Sequence, residues 1–367
     1  MSQQKKIILQ IVSPGSILGG AEYCVADLAK TINDNSRRYE CTILYSHNKN
    51  FCTIAHPNTL SYWLGDSILS ALSKMRKIIK RTKPDVIHAN GYHSLFICVL
   101  YRLLFYRESS GKIIFANTEH GWVSNELRGS IFTLLDKFSL LFMNKIFVVD
   151  PGMIRRIFFL QLIGKNLSYL PTAIDYGRLE EQATSEIGNV HPMILGVGRL
   201  APEKQFCIFI ETAKYLLEQN PDIRFVIVGD GSEKDNLIRL AKQSDVFDKF
   251  IFTGFISNII DFFRVADILL ITSQTEGCSR VALEAMHYGA IVASNDVGYM
   301  GHLLTDDRGY IFDLTRDHPK DVAALLMRIL SRPKSESDQV RQNAAKYADT
   351  YHDTLNSLEI YENTISR

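Results

Sequence analysis

The chain has 367 residues, 46% hydrophobic and 22% charged, with 41 basic residues against 40 acidic ones and a formal net charge of +1. That length exceeds what one hydrophobic core ordinarily supports, so two α/β domains are expected, and the near-neutral balance argues against a large nucleic-acid footprint. Six cysteines (Cys24, Cys41, Cys52, Cys98, Cys207, Cys278) show no Cys-x-x-Cys pair and no metal-ligand spacing, which fits small buried residues of a reduced, cytoplasmic protein.

Lys5 and Lys6 lead directly into a short apolar strand, so no signal peptide is expected, and the apolar stretch 95–106 is too short for a bilayer and carries Arg102. Strands are predicted over residues 7–12, 42–45, 86–89, 113–117 and 146–149, with helices over 21–32, 68–81, 94–106 and 130–143 filling the intervals. The second half repeats the pattern, with strands over 193–197, 224–228, 250–253, 268–272, 291–294 and 310–312. Alternation of this kind predicts parallel sheets with helices on both faces. Apolar periodicity is lost from residue 180 to 192, which places domains at 1–180 and 181–345, followed by a helical segment 346–367 expected to pack back towards the first domain. Ala344, Tyr347, Tyr351, Leu355 and Leu358 recur at helix-like spacing and read as a packing stripe.

Open α/β sheets bind ligands at the C-terminal ends of their strands, so the loops there carry the functional reading. After the first strand comes Gly19-Gly20-Ala21-Glu22, where glycines allow close backbone approach and a helix N-terminus favours an anion. After the fourth strand His120, followed by Gly121, stands at the same sheet edge. In the second half the loop from Gly198 presents Arg199 and Lys204, a planar fork and a point charge that can reach one diphosphate or can equally be two surface cations. Gly229-Asp230-Gly231 forms a turn able to lie beside a nucleotide, and Gly196-x-Gly198-x-x-Ala201 with Asp230 also matches a dinucleotide-binding fingerprint, which keeps an NAD(P)-binding oxidoreductase open.

The chain is centred on residues 268–297, a buried strand, a polar loop, a helix over 281–288 stopped by Gly289, and a second strand. Gly277, Cys278 and Ser279 feed backbone N–H groups into a helix N-terminus suited to an anion. Glu276 before it and Glu284 within it are carboxylates able to accept paired hydroxyl hydrogen bonds, the first from a sugar and the second from a ribose. Ala285, Met286 and Ala290 make that helix a packed one.

The ordered series Gly19-Gly20-Ala21-Glu22, His120-Gly121, GVGRLAPEK, VIVGDG and Glu276-Gly277 to Glu284-Ala285-Met286 with Gly289 resembles the retaining family 4-type glycosyltransferases across nearly the whole chain. The resemblance implies a GT-B fold, two Rossmann-like doubly wound domains facing across a cleft, and transfer of a sugar from a nucleotide diphosphate sugar, expected to be a UDP-sugar, to a hydroxyl acceptor in bacterial-type polysaccharide or glycolipid assembly. It further implies that Arg199 and Lys204 hold the donor diphosphate, that Glu284 holds the ribose, and that Glu276 holds the donor sugar with backbone help from Cys278 and Ser279. Gly19 and Gly20 would approach the donor, and His120 would lie near the reacting sugar. Asp150, the Thr172-Ala173-Ile174-Asp175 stretch, Tyr299 and His302 depart from the family pattern. A non-catalytic nucleotide-sugar-binding protein would keep the same fold.

No Asp-x-Asp metal motif occurs, so the two cations and the helix N-terminus are expected to stabilise the leaving diphosphate without a metal cofactor. An anionic membrane surface is expected to meet residues 68–83 through the uncompensated cations Lys74, Arg76, Lys77, Lys80, Arg81 and Lys83, while the apolar stripe of Ile68, Leu72, Met75 and Ile79 on the same helix reads as packing on the domain's own core. The aromatic residues Phe96, Tyr101, Phe105 and Tyr106 would join them there, placing the chain peripherally on the cytoplasmic leaflet beside a lipid-linked acceptor.

Overall fold

The computed structural model describes residues 4–14, 19–47, 59–105, 113–121, 134–181, 192–256 and 259–366. They form two compact units, Met1–Ile174 with Asp353–Arg367 and Asp175–His352. Ser16, Ile17, Leu18, Cys52, Tyr106, Trp122 and most of the loss of periodicity read from residue 180 to 192 lie outside the described residues.

The first unit is built on strands β1 (Lys6–Val12), β2 (Tyr39–Ser46), β3 (Ser61–Gly65), β4 (Val86–Asn90), β5 (Ile114–Glu119), β6 (Lys145–Val148) and β7 (Asn166–Tyr169), all parallel in the order β3-β2-β1-β4-β5-β6-β7. A strand covered on both faces buries side chains at nearly every position, and β1 and β4 do so with mostly apolar residues, while the buried polar Gln10, His88 and Asn90 are hydrogen-bonded. Alternate side chains serve opposite faces. Leu9, Ile11, Ile87 and Ala89 join a core with the helices Ile68–Thr82 and Tyr92–Phe105, while Ile8, Val12 and Val86 join another with Gly20–Asn35 and Thr354–Ser366.

The second unit repeats the plan with β8 (Met193–Val197), β9 (Arg224–Val228), β10 (Phe250–Gly254), β11 (Ile268–Ile271), β12 (Ile291–Asn295) and β13 (Tyr310–Phe312) in the order β10-β9-β8-β11-β12-β13. In each sheet the order reverses beside the first strand, between β1 and β4 and between β8 and β11. At such a switch point the flanking loops leave in opposite directions and open a crevice at the C-terminal edge.

Some sequence expectations change. β3 and β7 went unpredicted because both are sheet edges whose side chains are largely half-buried, so neither shows an apolar run or clean alternation. The stripe from Ala344 to Leu358 does not lie on one helix: Lys334–Tyr351 and Thr354–Ser366 are separate, and Tyr351 and Leu355, beside the break, are exposed. Leu72, Met75 and Ile79 face the core of the first unit, and Tyr101 is buried with them, so the stripe packs inward, while Lys77, Lys80, Arg81 and Lys83, the cations on which the expected membrane contact rests, are exposed.

Candidate functional site

In the second unit four loops meet at the C-terminal edge beside the switch point. The loop after β8 leaves Gly198 and makes a 3-10 turn, Pro202–Lys204, before Gln205 adopts a left-handed conformation (φ 47°) and the helix Phe206–Gln219 begins. Ala201 therefore does not open a helix, and the dinucleotide fingerprint lacks the strand-to-helix turn that places a pyrophosphate on the helix dipole. The loop after β9 crosses directly over this one. A Cβ on Gly229 (φ +146°) would stand 1.9 Å from the Gly198 carbonyl oxygen, so only glycine lets the two backbones cross.

The loop after β11 is stitched to the β8 loop. Thr272 donates to the carbonyl oxygens of Lys204 and Gln205, each at 3.0 Å, and the Gln274 N–H donates to Glu203 at 2.8 Å. These bonds fix the Lys204 backbone and place its ammonium 2.6 Å from Glu276 Oε1, which also accepts from Ser273 Oγ at 2.7 Å. Glu276 and Lys204 are thus brought into direct contact from different strands. Behind Glu276 runs the loop after β12, where Tyr299 N–H donates to the Gly277 carbonyl at 2.9 Å. Gly298 (φ +56°) has the Glu276 carbonyl 2.0 Å from where a Cβ would stand. Tyr299 and His302, the departures in this loop, pack with their rings tilted at 4.8 Å between centroids, and Tyr299 is buried with its N–H bonded to Gly277.

The helix Arg280–Tyr288 starts at Ser279, whose side chain makes no capping hydrogen bond, and it ends at Gly289 in the left-handed conformation (φ 93°) that glycine tolerates. Gly277, Cys278 and Ser279 lead into its N-terminus. Glu284 is buried, and its Oε1 accepts from Arg280 Nε at 2.6 Å across one helical turn. Arg199 reaches Glu203 at 2.8 Å and stays half-exposed. Asp230 bonds Lys234 at 3.0 Å and the Gly231 N–H at 2.8 Å; these contacts, the lysine first, hold its carboxyl below the usual range. Arg199, Lys204, Asp230, Glu276 and Glu284 all come to this edge, each beside an opposite charge.

The other expected residues belong to the first unit. Gly19 precedes the helix Gly20–Asn35, and its N–H is held by Glu22 Oε2 at 2.9 Å, so the helix entrance is tied by a carboxylate three residues on. His120 follows β5 and contacts Asn90 Oδ1 at 3.3 Å. It lines a pocket with Asn90, Thr118, Pro171 and Thr172. Beneath that pocket His88 bonds Tyr361 at 2.8 Å through Nδ1 and Thr118 at 2.7 Å through Nε2. Burial lowers the His120 pKa to about 4 and that of His88 to about 3, so both rings are neutral near pH 7. His120 keeps an accessible edge, whereas His88 is fully enclosed.

Residues 18–178 match the Glycosyltransferase Family 4 description, and residues 178–347 match glycosyl transferases group 1. The chain has the GT-B fold and is related to these glycosyltransferases. It is 28% identical over 219 residues to a 2-deoxystreptamine glucosyltransferase of Streptomyces kanamyceticus, covering 55% of each chain. It is 27% identical over 269 residues to the UDP-Gal:alpha-D-GlcNAc-diphosphoundecaprenol alpha-1,3-galactosyltransferase of Escherichia coli, covering 67% of each. The chain thus aligns with little more than half the length of the first of these relatives. Among solved structures, Anabaena HepE in complex with UDP-glucose superposes with a TM-score of 0.81 at 18% identity, over 98% of this chain and 100% of that one.

Several side chains that hold the expected residues in place were not singled out from sequence. Glu203, Lys234 and Arg280 each sit four residues from a partner, a spacing readable on a helix or turn. Arg280 escaped because the helix was expected to start one residue later. Ser273, His88 and Tyr361 act through contacts no local pattern announces. Among the described residues no cluster of three or more His, Cys, Asp or Glu has a geometry for a metal ion, and no helix is long and apolar enough to cross a membrane.

Proposed function

We propose that the protein transfers a sugar, with retention, from a UDP-sugar to an acceptor hydroxyl, and that the Lys204–Glu276 pair marks the bond that breaks. The observation that carries this reading is their 2.6 Å contact beside the switch point. In a nucleotide sugar the leaving oxygen and the sugar ring are adjacent, so a diphosphate ligand and a sugar ligand must also be adjacent. Lys204 with Arg199 faces the diphosphate, Glu276 takes the sugar hydroxyls, and Glu284 takes the ribose. The backbone N–H groups at Gly277, Cys278 and Ser279 add the positive end of a helix dipole. The acceptor oxygen bonds the anomeric carbon as the bond to the diphosphate breaks, the electron pair stays on the leaving oxygen, and the acceptor proton passes to the departing diphosphate. Charge growing on that oxygen meets cations already in place, so the site's own groups carry the task without a metal.

HepE, crystallised with UDP-glucose, supports a UDP-sugar, and the diphosphoundecaprenol acceptor in the Escherichia coli relative's name supports a lipid-linked acceptor in surface polysaccharide or glycolipid assembly. The test is calorimetry with nucleoside diphosphates followed by an assay of UDP release from UDP-sugars. Lys204→Ala and Arg199→Ala each lower turnover about a hundredfold. Glu276→Gln lowers turnover while nucleotide affinity stays near that of the parent, and a chelator changes nothing. Full activity in Glu276→Gln, or binding of nucleoside diphosphate with no turnover of any donor, would overturn the reading.

A further inference from the structure

Asn90 ends β4 at the point where the order of the first sheet reverses, and its side chain is buried. An amide in such a place must be hydrogen-bonded to be tolerated. Its Nδ2 donates to Gln10 Oε1 at 2.7 Å and lies 3.5 Å from the Ile11 carbonyl oxygen, both on β1. The two ends of an amide are alike in shape, so Asn90 and Gln10 could turn over together and exchange one N–H···O bond for another. The Ile11 carbonyl removes that freedom. A backbone carbonyl only accepts, so the Asn90 nitrogen has to face it and Asn90 Oδ1 has to face the other way.

On that other side is His120, whose Nε2 stands 3.3 Å from Asn90 Oδ1. An amide oxygen has no proton to give, so this bond forms only when Nε2 carries the ring hydrogen. A neutral imidazole has one N–H, which leaves a lone pair on Nδ1. His88, beneath, is not committed in this way: Tyr361 and Thr118 meet its two nitrogens with hydroxyls, which donate or accept as required. Among the described residues Asn90 is the one hydrogen-bond partner of the His120 ring, which lines the pocket with Thr118, Pro171 and Thr172. The nitrogen left open is therefore an acceptor. It suits a hydroxyl and repels the acceptor-only oxygens of an ether, a carboxylate or a phosphate.

We propose that Asn90, braced by Gln10 and the Ile11 carbonyl, is a positioning residue that holds His120 in its Nε2–H form, so that His120 Nδ1 accepts a hydrogen bond from a substrate hydroxyl. The role of that hydroxyl rests on the transfer reading above, whereas the form of the ring does not. Burial keeps the ring neutral near pH 7, which preserves the lone pair. The titratable groups around it are His88 below, Cys24 on the same pocket, and Glu119 one residue back, whose carboxylate accepts from Asn117 Nδ2.

The test begins on the full chain without substrate. Long-range proton–nitrogen spectra of protein carrying isotopically labelled histidine, with the His120 signals assigned by their loss in His120→Gln, are expected to show Nε2 protonated and Nδ1 bare. A protonated Nδ1, or exchange between the two forms, would overturn the proposal whether or not any donor is turned over. Turnover of UDP-sugar then separates positioning from mere packing. Asn90→Leu fills the space but cannot accept, and it lowers kcat/KM about tenfold, the scale of one hydrogen bond. Asn90→Asp still accepts from Nε2–H, and Gln10 can turn its amide to donate to the carboxylate. This variant keeps its turnover near pH 8, while its charge favours the imidazolium and moves the acid limb of the kcat/KM profile upward by about 1–2 pH units. Parental turnover by Asn90→Leu, or an Asn90→Asp acid limb in the parent's place, would overturn the assignment, with circular dichroism showing that both variants fold. No turnover of any UDP-sugar by the parent would count against the transfer reading alone, and the spectra would still decide the form of the ring. Hydrolysis of UDP-sugar without acceptor tells whose hydroxyl it is: an Asn90→Leu loss there assigns it to the donor sugar, and a loss only with acceptor present assigns it to the acceptor.

Discussion

Arg280 and Glu284 show how one residue changes the meaning of another. A buried carboxylate is costly unless a cation and hydrogen bonds compensate it, and here an arginine 6% exposed supplies both at 2.6 Å. Glu284 therefore has a structural duty beside the ribose contact proposed for it. Replacing Arg280 by Met removes the cation from an enclosed carboxylate and should cost about 3–5 kcal/mol in denaturant unfolding. The paired change Arg280→Met with Glu284→Leu should recover much of that loss. A single variant as stable as the parent would show that the pair contributes nothing to the fold.

Among elements, the terminal helix Thr354–Ser366 does most with least sequence signal. Leu358, Tyr361 and Ile365 enter the core shared with Gly20–Asn35, and Tyr361 stacks on His88 at 5.3 Å while bonding its Nδ1. Tyr361→Phe keeps the ring and removes one buried hydrogen bond, so a loss of about 1–2 kcal/mol is expected by thermal unfolding. His88 adds a pH dependence. Its pKa falls from 6.5 to about 3, through burial first and the charge of His120 second. The folded chain thus binds fewer protons than the unfolded chain in that window. Stability is full above the unfolded value and declines as pH drops from about 6.5 towards about 3. Unfolding temperatures measured down this range should fall more steeply for the parent than for His88→Gln. Parallel curves would assign the pH dependence to other groups.

The whole molecule consists of two units, and the first is discontinuous, closed by residues that return after the second has been completed. Leu358, Tyr361 and Ile365 are buried in its core, each worth about 1.5–3 kcal/mol by transfer from water. Deleting residues 353–367 removes all three, a loss comparable with the entire stability of an ordinary domain. Unfolding of the first unit should then disappear from a calorimetric scan while that of Asp175–His352 persists, because none of its sheet is drawn from the deleted segment. Loss of both transitions would show that the second unit needs the first.

Period and run length determined most of the architecture. Strands such as Ile268–Ile271 must be apolar throughout to lie between two helical layers, so they announce themselves, and their alternation with helices specified two parallel sheets. The strand-end loops carrying Gly198 to Lys204 and Gly277 to Ser279 were legible for the same reason, since a parallel sheet sends every strand's C-terminus to one edge. Tertiary structure alone decided which charges meet. Lys204 and Glu276 are 72 positions apart, and His88 and Tyr361 are 273 apart, joined by sheet order and core packing that leave no local periodicity. It also turned the stripe of Ile68–Thr82 inward and left Leu104, Phe138 and Leu162 in water, because exposure depends on which faces the neighbouring helices cover.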